Sequence, residues 1–80
     1  LAQSMARELW PKGIHVAHPV IDGAIDTEFI RSNFPDRYAT KDQQGILSPD
    51  SIAEAYWQIH RQPRDAWTHE TELRPWMESW

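Results

Sequence analysis

The residues best suited to chemistry in this chain are Asp22-Gly23-Ala24-Ile25-Asp26-Thr27. Gly23 lets a ligand come close to the backbone, and Thr27 offers a hydroxyl followed by the free N–H groups of a helix start. In open α/β sheets, ligands bind beyond the carboxyl ends of strands, which is where such a turn would lie. A plain strand-to-helix connection capped by Thr27 uses the same residues, so both readings stand at this level. Asp22 and Asp26 are two carboxylates close in sequence, but loop acids beside a helix start more often meet solvent or cap than act as acid and base. The histidines point to no metal centre. His15 and His18 are three apart in a strand, so they face opposite ways, and His60 and His69 fall on different elements. No Gly-x-Ser-x-Gly turn accompanies the serines, which leaves a hydrolase triad without support.

The elements that must position this turn follow from spacing and punctuation. Leu1, Met5 and Leu9 recur at i, i+4, i+8, the face spacing of a buried helix. No Ser, Thr, Asp or Asn precedes that helix, so its first turns are expected upstream of Leu1. Trp10-Pro11-Lys12-Gly13 ends it, and Ile14 to His18 reads as a short buried strand. Pro19 donates nothing to a sheet ladder, so the strand is expected to end near His18 or to bulge before Val20-Ile21. Thr27-Glu28 caps a short helix carrying Phe29, Ile30 and Phe34, closed by Pro35. Asp36 to Leu47 is polar and aperiodic and reads as a mobile loop.

Ser48-Pro49-Asp50 is a helix start with a cap, a first-turn proline and an acid at the positive dipole end. Ile52, Tyr56 and Ile59 then predict a buried face, with Ala53 and Trp57 beside it, up to a stop near His60. Trp67 to Leu73 alternates as a strand does, and Pro75 ends it before a short aromatic tail. Strand, helical crossover and second strand predict a right-handed βαβ unit with parallel strands. Two parallel strands alone leave edges and faces uncovered, so a larger α/β sheet, or several associated copies, is expected.

Composition narrows the classes. Eighty residues, 40% of them apolar, allow one small domain, and the absence of Cys removes disulfides and thiolate metal sites. A net charge of −4 with interspersed signs argues against nucleic acid and against anionic membranes, which both attract basic patches. No apolar run approaches the ~18 residues of a membrane span and no signal-peptide pattern is seen. The expected setting is the cytoplasm. Five tryptophans, three of them within Trp67 to Trp80, are hard to bury in so short a chain. They serve either as core aromatics or, for Trp76 and Trp80, as cover for a partner surface.

Three runs taken together resemble the C-terminal third of the short-chain dehydrogenase/reductase family: Ala2-Gln3-Ser4-Met5-Ala6-Arg7-Glu8-Leu9, Lys12-Gly13-Ile14-His15-Val16, and Gly23-Ala24-Ile25-Asp26-Thr27. The family shows a helix ending Ala-x-Glu-Leu, a Gly-Ile-x-Val strand and a Pro-Gly-x-Ile-x-Thr turn. The Ser48-Pro49-Asp50 helix and the last strand fall where the family has its last helix and strand. Asp22 stands in place of the usual Pro, and the stretch from Ile14 to Gly23 runs one residue longer.

The resemblance implies an α/β fold, the C-terminal portion of a Rossmann-type doubly wound parallel sheet, with residues 1–80 as one partial domain. It implies that the backbone of Ile25 bonds the carboxamide of NAD or NADP, that Thr27 assists, and that Gly23 makes the turn. It makes residues 28–47 the variable substrate lid, with Phe29, Ile30, Phe34 and Tyr38 over a small-molecule substrate, although core packing explains those four equally well. The family's Gly-rich loop, catalytic Ser and Tyr-x-x-x-Lys pair are not in this sequence, and Tyr38-Ala39-Thr40-Lys41 has the wrong spacing to replace them. Two readings follow. One is a non-catalytic segment of an NAD(P)-dependent oxidoreductase that supplies the cofactor turn, the lid and a homo-oligomer interface through the last helix and strand. The other is an interaction module whose Trp-rich tail is the adhesive.

Overall fold

A computed structural model describes all the residues, Leu1 to Trp80. Helix α1 (Ala2–Leu9) starts without a side-chain cap and runs into a 3₁₀ turn at Trp10–Lys12. Gly13, in the left-handed region at φ 80°, ends that turn and sends the chain toward the sheet. Strands β1 (His18–Ile21) and β2 (Glu70–Leu73) pair in parallel, His18 opposite Glu70 through Ile21 opposite Leu73.

Both strands start later than the sequence pattern predicts: the expected strand at Ile14–His18 lies at His18–Ile21, and that at Trp67–Leu73 shortens to Glu70–Leu73. Side chains account for the shift. The His69 Nδ1–H donates to the Val16 carbonyl (2.8 Å), the acceptor the next ladder bond would use, and the His15 Nε2–H donates to the Thr68 carbonyl (2.7 Å). Pro19 is accommodated inside the strand by the parallel pattern. His18 and Asp22 donate to His69 and Leu73 of the neighbour, and only alternate residues turn their N–H that way. The missing N–H of Pro19 therefore falls on the side away from β2.

Helix α2 (Glu28–Asn33) begins at Thr27, whose Oγ1 accepts the Ile30 N–H at 3.3 Å. Pro35 ends α2 and also opens a second short helix, α3 (Pro35–Tyr38). The stretch expected as a mobile loop is a series of hydrogen-bonded turns. After α3 come a 3₁₀ turn at Lys41–Gln43, Gln44 at φ 59°, and a bridge that pairs Leu47 with Ile25. The Thr40 carbonyl accepts from both Gln43 and Gly45, and its hydroxyl donates to the Arg37 carbonyl. Local polar bonds of this kind give structure without hydrophobic periodicity.

Helix α4 (Pro49–His60) starts where expected, but the Ser48 side chain does not cap it. Its predicted buried face is open. Ile52 and Ile59 are half-buried, Tyr56 and Trp57 are 48% and 52% exposed, and no residue of α4 is fully buried.

Only Ala6, Ala24, Ile46 and Pro75 are buried. The radius of gyration is 15.4 Å, against about 12 Å for a compact domain of this length. The accessible surface is 6129 Å², against about 5000 Å² for a folded monomer of this mass. A packed α/β domain needs helices over both faces of its sheet, and these elements supply only part of that arrangement. No helix is long and apolar enough to cross a membrane.

Candidate functional site

The turn after β1 is built by pairing on both sides. Asp22 N–H donates to the Leu73 carbonyl at 2.9 Å, which continues the β1–β2 ladder by one bond. Three residues on, Leu47 takes over as partner: its N–H donates to Ala24 O and its carbonyl accepts from Asp26 N–H, both at 2.7 Å. That bridge uses the groups of Ala24 and Asp26 and leaves the N–H and C=O of Ile25, the residue between them, with no partner in the chain. Ile25 thus presents one donor and one acceptor side by side on the edge opposite Leu47. Thr27 is exposed; its oxygen accepts from Ile30, and its O–H remains free to donate.

Charges surround this turn in pairs. The Asp22 carboxylate accepts from Arg74 Nη1 at 2.6 Å, and that of Asp26 meets Lys41 Nζ at 3.0 Å. Asp26, and after it Tyr38, hold the Lys41 ammonium above the usual lysine range, because both interactions favour the charged amine. The Lys41 ammonium lies 5.5 Å from the centre of the Tyr38 ring. The four expected lid residues therefore divide. Tyr38 stands beside the turn through Lys41 and Asp26, whereas Phe29 and Phe34 form an exposed pair with ring centres 6.1 Å apart. Ile30 is half-buried. At the start of α2, Glu28 accepts from Arg31 and Ser32, which draws its carboxyl below the usual range.

Gly23 has a second neighbour that sequence reading did not supply. At φ 147° it turns its open side to Pro75, whose Cδ lies 2.7 Å from where a Cβ would sit. Any larger residue would push Pro75 away. Arg74, Trp76 and Glu78 join the site from the same tail, and nothing local in the sequence marks them as its partners.

At the other end of the strands lies a cluster of rings. His15 stacks on Trp67 with centres 4.6 Å apart and planes 2° from parallel. Trp10 meets His15, Trp67 and His69 edge-on at 5.4, 5.2 and 5.9 Å. The Trp67 indole N–H donates to the Gln62 carbonyl at 3.3 Å. His60 stands apart, tilted against Trp57 on α4.

No protein-family profile and no curated protein matches this chain. Among solved structures, it is similar to a short-chain dehydrogenase from Rhodopseudomonas palustris, at 43% sequence identity and a TM-score of 0.58 over 94% of its residues. This chain belongs to the short-chain dehydrogenase/reductase family. The matched region is 24% of that dehydrogenase, so the chain spans about a quarter of its length. The likeness gives the two parallel strands and their helices a place in a Rossmann-type α/β sheet, and it accounts for faces left open within 80 residues. In such a sheet the Asp22–Thr27 turn lies at the carboxyl end of β1, where α/β enzymes bind ligands, and the ring cluster lies at the opposite end.

Proposed function

We propose that this chain is the C-terminal segment of an NAD(P)-dependent oxidoreductase that transfers a hydride between a nicotinamide and a carbonyl or alcohol. It contributes the nicotinamide-side turn, a substrate lid over residues 28–47, and an oligomer contact. The observation that carries this reading is Ile25, whose N–H and C=O are both unpaired and adjacent. A carboxamide offers one acceptor and one donor group, so it complements that pair, with the free O–H of Thr27 as a further donor. When bound, the nicotinamide ring supplies the hydride-carrying chemistry. The chain's own residues bind and orient: Ile25 through its backbone, Thr27 through its hydroxyl, and Tyr38 with the Lys41–Asp26 pair along one side. Catalytic Ser, Tyr and Lys are not among these roles, so the 80 residues alone are expected to show no turnover.

The open face of α4 supports an oligomer contact through the last helix and β2. Pro49, Ile52, Ala53, Tyr56 and Trp57 line a shallow apolar groove of about 690 Å³ that Ile25 of the turn also lines. The adhesive-tail reading is the weaker one beside a likeness to a dehydrogenase over 94% of the chain, although Trp76 and Trp80 stay 74% and 98% exposed. The proposed setting is the cytoplasm.

The test is a fluorescence titration of NADH and NADPH into the intact protein that carries this chain. One of the two should bind. Thr27→Val should weaken it about tenfold, a loss of ~1.4 kcal/mol, and Thr27→Ser should restore it. Failure of both dinucleotides to bind would end this reading.

A further inference from the structure

The tail after β2 does more than close the sheet. Arg74 is its anchor: with a side chain only 12% exposed, it donates to Asp22 at 2.6 Å and to Glu72 at 2.8 Å. Its second Nη donates to the Ser79 carbonyl, and its guanidinium lies 3.8 Å from the centre of the Trp80 ring. A planar cation that satisfies two carboxylates, a carbonyl and an indole face fixes the direction of the chain on both sides of it. The four residues that follow then reach two separate parts of the molecule. Pro75, itself buried, fills the open side of Gly23. Trp76 Nε1–H donates to the Gln43 carbonyl at 2.9 Å. The Met77 sulfur lies 2.8 Å from where a Cβ on Gly45 would sit. Glu78 accepts from Arg37 Nη2 on both oxygens, at 3.1 and 3.2 Å.

We propose that residues 74–80 are a strap that joins the Asp22–Thr27 turn to the Arg37–Gly45 part of the covering segment, with Arg74 and Glu78 as positioning residues. This inference deepens the reading of the turn as dinucleotide-facing, which it takes as given. The strap grips the turn through Arg74 and Pro75 and the covering segment through Trp76, Met77 and Glu78, so the two parts hold one relative position. Without it, the direct links between them reduce to the Leu47 bridge and the exposed Lys41–Asp26 pair. The strap meets residues 37–45 at three places, Arg37, Gln43 and Gly45, against one ion pair of similar exposure, so it is the larger constraint on them.

Hydrogen exchange in the intact protein tests the strap without any ligand. The reporters are the amides of Thr40, Gln43, Gln44 and Gly45, which are bonded within their own turns and open when those turns do. Arg74→Leu and Glu78→Gln should each speed their exchange at least threefold while the amides of α4 keep their rates, which separates loosening from global unfolding. The reversed pair Arg37→Glu with Glu78→Arg should return exchange toward the original rate. Unchanged exchange in both single variants, or no recovery in the reversed pair, would overturn the strap. An NADH and NADPH titration of the unmodified protein separates the two ideas. If exchange responds as expected and neither dinucleotide binds, the strap stands and the dinucleotide reading falls. If a dinucleotide binds and exchange does not respond, the strap falls and the turn keeps its ligand.

Discussion

The two ends of the β1–β2 pair are held by different physics. At the amino ends, Trp10, His15, Trp67 and His69 pack ring against ring, and two imidazole N–H groups close on backbone carbonyls. At the carboxyl ends, the Asp22–Thr27 turn, residues 37–45 and the tail are joined by ion pairs and single hydrogen bonds: Asp22 with Arg74, Asp26 with Lys41, Arg37 with Glu78, Trp76 with Gln43. Ring contacts draw on buried area and respond little to salt, whereas the ion pairs at the other end are weakened by it. One end is therefore suited to fixing the register of the strands. The other is held by polar links between separate segments, and that is the end with the unpaired backbone of Ile25.

The largest expected effect is at the ring end. Trp67→Ala removes the His15 stack, the Trp10 contact and the bond to Gln62. Because Trp67 is only half-buried, urea unfolding of the intact protein should show a loss of about 2–3 kcal/mol, below the ~3–5 typical of a fully buried Trp. A loss under about 0.5 kcal/mol, the range of an ordinary surface substitution, would break the distinction between the two ends.

At the turn end, the strongest single change is Gly23→Ala, which meets both the left-handed backbone at φ 147° and Pro75. It should cost about 1–3 kcal/mol by the same measurement, and limited proteolysis should then cut the tail after β2 faster. His15→Phe sharpens the comparison from within the ring cluster. The stack on Trp67 survives while the bond to Thr68 is lost, so the cost should fall to about 1 kcal/mol. Equal losses for His15→Phe and Trp67→Ala would mean that the hydrogen bonds, and not the rings, hold that end.

The smallest effect is electrostatic and has a sign. The Lys41 amine is raised by Asp26, so its contribution is complete below the ordinary lysine pKa and disappears as pH rises through the raised value. Glu28 runs the other way: its lowered carboxyl keeps its contribution above the ordinary range and loses it as pH falls through the lowered value. An NMR titration should place Lys41 above the usual lysine range, and Asp26→Asn should bring it back. A Lys41 that does not respond to Asp26→Asn would remove this tether from the turn end.

Much of the frame was legible in the chain. Pro11 and Gly13 do end the first helix, Thr27 does cap α2, Ser48-Pro49-Asp50 does mark the start of α4, and the two strands are parallel. The helix boundaries follow from residues acting within a few positions of themselves, and the parallel sense from the helical crossover between the strands. The errors have the opposite character. The strands start later than expected, at the point where His15 and His69 bond carbonyls of each other's segment, and α4 keeps its apolar face open; only the polar stretch after Asp36, built from local turns, departs from this. Periodicity reports which face of a helix is apolar; whether anything covers that face depends on what packs there.

For the site, sequence pointed to Gly23, Ile25 and Thr27 and had no means of pointing to Arg74, Pro75 or Glu78. The order of elements, the caps and the composition of the turn were determined by the sequence alone, because φ/ψ preference and side-chain capping act locally. The register of β1 on β2, the ring cluster and the strap were decided only in three dimensions. His15 and Thr68 are 53 residues apart, and Asp22 and Arg74 are 52 apart. No local rule joins residues at that distance; they meet because the parallel pairing of two short strands brings their flanking segments together.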